Sequence, residues 1–252
     1  MTAVPVVAPV GRFRAAIAEL PLSARLADDV AGAVVVLGGA TGWVDAALEA
    51  AASGAIAILV ADPAVVPADG LRLLADELRI PLIIERPLLR HDVAQAAAAG
   101  RQGAAARALS ADAGAGAARM SAVRRDALGW LRVLAREPLA VVGGDRELTL
   151  LRTASGIPVT LSVAPSERPR GGWIRAEALG ETRTDVRLEA ADVRVTTSTR
   201  AGVLIAPTLF ESSERLAVRR AIESLTAADL APDLDDLRAD AALAEAIDAA
   251  DS

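Results

Sequence analysis

The sequence predicts an α/β protein: a shortened parallel-sheet domain followed by an α+β domain whose sheet is mainly antiparallel. Three observations carry this expectation. Apolar, β-branched runs at 34–37, 57–60 and 81–84 lack strict alternation, as parallel strands covered on both faces do. The segments between them, starting near Trp43 and near Pro67, are long enough for the crossovers that parallel neighbours need. From residue 139 to residue 206 the apolar period falls to two, and short strand candidates follow one another without helices.

In chain order, residues 4–8 read as a first apolar strand, followed by Pro9, Gly11 and a helical run at 13–20 that Pro21 ends. The link at 23–30 leaves little room for a second full βα unit before the strand at 33–37. Gly38-Gly39-Ala40-Thr41-Gly42 then forms a turn into a helix, where exposed amides can receive an anion, and Gly54 supplies the C-terminal stop. After Arg90 the residues 93–108 are alanine-rich and helical, and 112–118 reads as a flexible connection of small residues. The domains are therefore set at 1–110 and 119–225, with an acidic tail at 226–252.

The second domain opens on an amphipathic helix at 120–135, with Val123, Leu128, Leu131 and Leu134 in its apolar stripe and Pro138 beyond its end. Strands are expected at 148–152, 157–163, 173–179, 184–188, 193–197 and 203–205, forming a meandering antiparallel sheet. The alternation at 173–179 leaves one face of that sheet open to solvent or a partner. A helix at 211–225 is expected to pack back on this sheet, and the aspartate-rich tail to form a weak helix with a mobile end.

Composition removes several classes of function. With 252 residues and 53% apolar content the chain can bury a core as one large domain or two modest ones. It has no cysteine, so neither disulfides nor thiolate metal sites arise. All 27 basic residues are arginine, which excludes a Schiff-base lysine, a lysine general base and a P-loop lysine. A formal charge of -6 opposes general nucleic-acid binding, for which phosphate neutralisation needs a basic face. No signal-peptide pattern and no charge-free run near the ~20 residues of a membrane span is found, so the expected location is the cytoplasm, with no membrane partner.

The candidate chemistry is sparse. His91, the single histidine, follows a parallel strand where α/β sheets place ligands, and is either a general base or an exposed residue at a helix start. Arg86 and Arg90 are candidate holders of a carboxylate or phosphate, or a solvated pair. Gly38, Gly39 and Gly42 admit close approach of a ligand and Thr41 offers a hydroxyl, or all four serve a tight turn. Asp62 and Asp126 are carboxylate candidates whose plain alternative is capping or solvation. No histidine-carboxylate cluster has metal-ligand spacing, and Trp43, Trp130 and Trp173 read as core or interface anchors.

The stretch VVVLGGATGWVDAALEAAASGAIAILVADP, followed by the helix SAVRRDALGWLRVL and the strand SGIPVTLSV, resembles the glucose-fructose oxidoreductase and inositol dehydrogenase family (Gfo/Idh/MocA). The resemblance covers most of the chain. It implies a Rossmann-like NAD(P)-binding domain, a C-terminal sheet domain that shapes a sugar or polyol site, and hydride transfer at a carbinol carbon. The motif positions depart from it. The G-x-G-x-x-G turn falls on Pro9-Val10-Gly11-Arg12-Phe13-Arg14, which keeps only Gly11, and the acidic residue of the second βα unit falls in the truncated link. The lysine of the glutamate-lysine-proline motif falls on Asp62. The histidine and aspartate of the second-domain helix fall on Val123 and Asp126, and a proline and a histidine expected after VVVL fall on Ala40 and Val44.

The resemblance therefore implies a catalytically degenerate relative that acts as a binding or scaffolding subunit. Such a subunit is a homo-oligomer, or a hetero-oligomer with an active relative, built through the antiparallel sheet. NAD or NADP is its cofactor if the altered first turn still binds one. The alternative is an active NAD(P)-dependent sugar or polyol dehydrogenase with His91 or Asp126 as base. A further alternative rests on ADELRIPLIIERPLLRHDVAQA, which is similar to the sensory domain of purine-catabolism regulators of the PucR type and implies a small-ligand sensor module.

Overall fold

In the computed structural model, which describes residues 2–167, 171–189, 192–207, 211–227 and 231–251, the apolar runs become parallel strands. These are β1 (Val4–Val7), β2 (Ala24–Leu26), β3 (Val34–Gly38), β4 (Ala57–Ala61) and β5 (Leu82–Glu85), with α1 (Gly11–Ala18), α2 (Trp43–Ala52) and α3 (Ala68–Glu77) between them. Every pairing is parallel, in the order β2-β1-β3-β4-β5. All five residues of β4 are buried, as a strand covered on both faces must be. The link at 23–30 holds the short strand β2, and residues 27–33 return to β3 without a helix. Strand order reverses around β1 and β3, and their carboxyl ends form the switch point where open α/β sheets bind ligands.

The chain divides into two units, Met1–Pro87 with Phe210–Arg238 and Leu88–Leu209 with Ala239–Ser252. The division differs from the boundary expected near 110. Helix α4 (His91–Gly100) belongs to the second unit because Val93 and Ala97 enter its core, and because Gly100 approaches the strand Asp192–Thr199 so closely that an added Cβ would lie 2.8 Å from the Thr197 hydroxyl.

The second unit is an eight-stranded sheet covered on one face. After α4 come β6 (Ala108–Ala115), α5 (Met120–Ala135), β7 (Leu139–Gly144), β8 (Leu148–Thr153), β9 (Pro158–Pro165), β10 (Trp173–Leu179), β11 (Arg183–Glu189), β12 (Asp192–Thr199) and β13 (Gly202–Ile205). Their order is β13-β12-β11-β10-β6-β9-β8-β7. All neighbours are antiparallel except β6 and β9. The small-residue stretch expected to be a flexible connection is thus largely β6, in the middle of the sheet.

Alanine and glycine carry little strand preference, so this assignment is a tertiary effect. Ala111, Ala113 and Ala115 alternate inward and leave room for α5 to lie on the sheet. On the opposite face Trp173 covers Gly114, where an added Cβ would lie 2.7 Å from the indole nitrogen. Strand β7 was not among the expected strands; it is broken by a bulge between Val141 and Gly143.

Two helices complete the chain. Helix α6 (Ser213–Ser224), N-capped by Ser212 through the Arg215 amide at 3.1 Å, packs on α1, β4 and β5 rather than on the antiparallel sheet. Its Ala217, Val218 and Ala221 fill the first unit's core beside Phe13, Val36 and Leu59. The acidic tail is a packed helix, α7 (Asp233–Ala250), with Leu237, Asp240, Ala241, Ala244 and Ile247 buried. Its aspartates find arginines: Asp233 takes Arg220 at 2.6 and 3.0 Å and the Ile84 amide at 2.9 Å, and Asp240 takes Arg132 at 2.8 Å. Pairing of this kind is why a stretch expected to form only a weak helix is packed along one side. Among the described residues no helix is long and apolar enough to cross a membrane.

Candidate functional site

At the carboxyl end of β1 the chain turns through Pro9 and Val10 into α1. Val10 caps this helix with its backbone only, the first turn holds no acidic residue, and an added Cβ on Gly11 would meet nothing within 4 Å. The N-terminal amides are therefore open to an anion. Arg14, in the place of the third glycine, is exposed and does not stand between helix and sheet; Phe13, fully buried, makes that contact.

A residue that sequence reasoning missed lies one strand over. Asp28 and Asp29 follow the end of β2, beside β1, where a dinucleotide fold places the acid that reads a ribose hydroxyl. Asp29 accepts the Ala31 amide at 3.0 Å, whereas Asp28 is exposed. The available signal was an acid about twenty residues past the glycine turn. A three-residue strand is too short to show a period, so the stretch read as a link.

The turn after β3 packs closely at Gly39. A Cβ on Gly39 would lie 2.4 Å from the Pro63 Cα and 2.5 Å from the Ala61 carbonyl oxygen, because the chain leaving β4 crosses directly over it. Gly39 donates to Ala61 at 2.8 Å and accepts from the Ala64 amide at 2.5 Å. Gly38 ends β3, Gly42 starts α2 in the left-handed region at φ 87°, and Thr41 is exposed. Gly38 and Gly39 are thus brought to Asp62 by backbone packing.

Asp62 is half-buried just past β4, at φ 50°, and its amide donates to the Glu85 carbonyl at 2.8 Å. Glu85 itself is a buried carboxyl at the end of β5. The Ser213 hydroxyl donates to it at 2.5 Å and Arg12 approaches it at 3.4 Å. Burial pushes its pKa above the ordinary 4.5, against the pull of Ser213 and Arg12, while the nearby Glu214 and Asp62 charges add to the rise. The native state therefore holds this proton to higher pH than the unfolded chain does. The stabilisation is complete below about 4.5 and is lost as pH rises through the raised native value. Thermal melts across this range are expected to show Tm falling with rising pH in the wild type and a shallower fall in Glu85→Gln; equal slopes would remove Glu85 as the source.

In the second unit, Val123 and Asp126 share one face of α5. Val123 is fully buried, and a Cβ on Gly172 would lie 2.7 Å from its methyl group. Asp126 is 2% exposed, and the buried Arg125 donates to it at 3.2 and 3.3 Å. His91 is the half-buried first residue of α4. Its neighbour Arg90 grips Asp92 at 2.7 and 3.0 Å, so this guanidinium already holds a carboxylate of its own chain. Arg86 is buried near the end of the first unit's opening segment. The candidates thus fall into two sets, with Asp62 and Arg86 in the first unit and Arg90, His91 and Asp126 in the second.

A parallel sheet with a ligand-receptive switch point, followed by a one-face-covered, mostly antiparallel sheet, is an architecture that solved oxidoreductases share. UDP-N-acetylglucosamine 3-dehydrogenase GnnA from Acidithiobacillus ferrooxidans superposes with a TM-score of 0.71 at 16% identity, over 98% of this chain and 96% of that one. The 3-ketoreductase KijD10 from Actinomadura kijaniata, in complex with NADP, gives 0.71 at 15% identity over 98% and 97%. GenD2 from gentamicin A biosynthesis, in complex with NAD, gives 0.70 at 16% over 99% and 93%. At these identities the likeness is one of fold. No protein-family model and no curated protein matches the chain.

Proposed function

We propose that the chain is a shortened, catalytically degenerate relative of the Gfo/Idh/MocA oxidoreductases that acts as a binding or scaffolding subunit. One observation carries the reading: at the position of the family's acid-base histidine stands Val123, fully buried in the core, with Asp126 buried against Arg125 on the same helix face. A valine has no proton to move. At the lysine position Asp62 reverses the charge and cannot polarise a substrate hydroxyl as a cation does.

The nucleotide half is better preserved than the chemistry. The open amides at Gly11 would take a pyrophosphate and Asp28 a ribose hydroxyl. A bound nicotinamide dinucleotide supplies or accepts hydride. These features, with the NAD and NADP complexes of the similar folds, favour a second reading, an active sugar or polyol dehydrogenase.

As scaffold, the subunit would pair with a second copy or an active relative through the open face of its sheet. There Leu148 and Leu150 lie exposed, and a network of Arg175 with Glu177 and Asp185, Arg183 with Glu177, and Arg187 with Asp185 covers β10 and β11.

Titration with NADH and NADPH, followed by nicotinamide fluorescence, separates the two halves of the proposal. Binding is expected, weakened about tenfold by Asp28→Ala, a loss of ~1.4 kcal/mol. No hydride transfer is expected with any sugar or polyol, and the protein should sediment above monomer mass. Robust turnover would overturn the degenerate reading, and unchanged turnover in His91→Ala and Asp126→Asn would defeat a dehydrogenase that uses either as base.

A further inference from the structure

The second unit contains a pocket of about 450 Å³ between the start of α5, the turn from β7 to β8, the end of β9 and the last turn of α7. We infer that it binds a small ligand through one oxyanion group, a carboxylate or a phosphate, held by Arg124 and Arg146. The inference does not rest on dinucleotide binding, since every residue it uses lies in one unit.

Arg124 is 8% exposed and lines the pocket. One terminal nitrogen donates to Asp248 at 2.9 Å, while its Nε is buried without a partner. Arg146, on the exposed turn, donates from Nε to the other oxygen of Asp248 at 2.9 Å and approaches Asp251 at 3.3 Å. Two five-donor guanidinia thus converge on one shared carboxylate. Asp248 occupies the place an incoming oxyanion would take, and a ligand that offers more acceptor oxygens can satisfy donors Asp248 leaves unmet.

α5 meets the pocket wall as a direct continuation of the 3-10 turn Ala117–Arg119, whose Ala117 carbonyl takes the Met120 amide, so the preference for negative charge rests on the two guanidinia. Val163 supplies an apolar wall. Glu147 on the same lining keeps the field from becoming strongly positive, which confines the ligand to one anionic group rather than a polyanion.

The test is calorimetric titration of the full chain with inorganic phosphate and, separately, acetate at low ionic strength. Phosphate or acetate is expected to bind in the millimolar range or tighter, and whichever binds better identifies the preferred oxyanion. Asp248→Asn is expected to tighten binding severalfold by removing the internal competitor, and Arg124→Gln to weaken it at least tenfold. Arg146→Gln, on an exposed side chain whose loss leaves the core intact, is expected to weaken binding at least fivefold with Tm unchanged. No binding of either anion by the wild type and by Asp248→Asn, or binding indifferent to both arginine substitutions, would overturn the proposal.

Discussion

Trp130→Ala is expected to lower the unfolding free energy by about 3–5 kcal/mol, the range for deleting a fully buried aromatic side chain. The indole is 0% exposed, in the middle of α5, and donates from Nε1 to the Leu88 carbonyl at 2.7 Å. It thereby ties the helix to the first residues of the second unit. Trp130→Phe keeps most of the buried ring and loses the donor, so its cost is expected to be smaller, about 1–3 kcal/mol for an unmet buried carbonyl. Urea denaturation followed by far-UV circular dichroism measures both, independently of the tryptophan removed. Equal losses in the two variants would show that the hydrogen bond, not the volume, carries the effect.

Arg132→Ala has an expected cost of similar size, about 3–5 kcal/mol, because it strips a buried carboxylate of a bidentate partner. Asp240 is 1% exposed, and Arg132 reaches its two oxygens at 2.8 and 3.3 Å. The companion variant is the double change Arg132→Leu with Asp240→Leu, which removes both charges and is expected to recover most of the loss. A double-mutant cycle in urea reads the coupling directly. A single-variant cost below about 1 kcal/mol would place this pair with ordinary surface bridges. It would also leave the docking of α7 to its buried leucine, alanine and isoleucine residues alone.

Both results bear on the same element. Helix α5 is the element on which the sheet, α4 and α7 converge, and Val123, at the position where the resemblance expects an acid-base histidine, is fully buried on it. A polar side chain at that core position would carry a burial cost that valine does not.

The departures from the family's motif positions were legible residue by residue: no lysine exists anywhere in the chain, and Val123 and Asp62 stand where the resemblance expects a histidine and a lysine. The features that would favour a nucleotide were less legible. Asp28 follows a strand of three residues, and the exposure of Arg14 depends on Phe13 being the residue that faces the sheet. Glu85 gave no signal either, since the hydroxyl that meets its carboxyl belongs to Ser213, a residue distant in sequence.

What the sequence determined by itself is the class of each unit and most of its regular elements. Runs such as 57–61 and the alternation of 173–179 encode burial on two faces or one through local periodicity, which no partner is needed to read. What only the tertiary structure decided is the fate of segments with little period of their own. Ala108–Ala115 became a central strand because neighbours on both sides take its backbone bonds and α5 needs its small side chains. Ser213–Ser224 went to the parallel sheet because Ala217, Val218 and Ala221 fit that core. The acidic tail, expected as a weak helix, docks as α7 because Arg132 and Arg124, distant in sequence, and Arg220, 13 residues before Asp233, meet its aspartates. In each case the deciding free energy lies in contacts between residues far apart along the chain, which a local pattern does not contain.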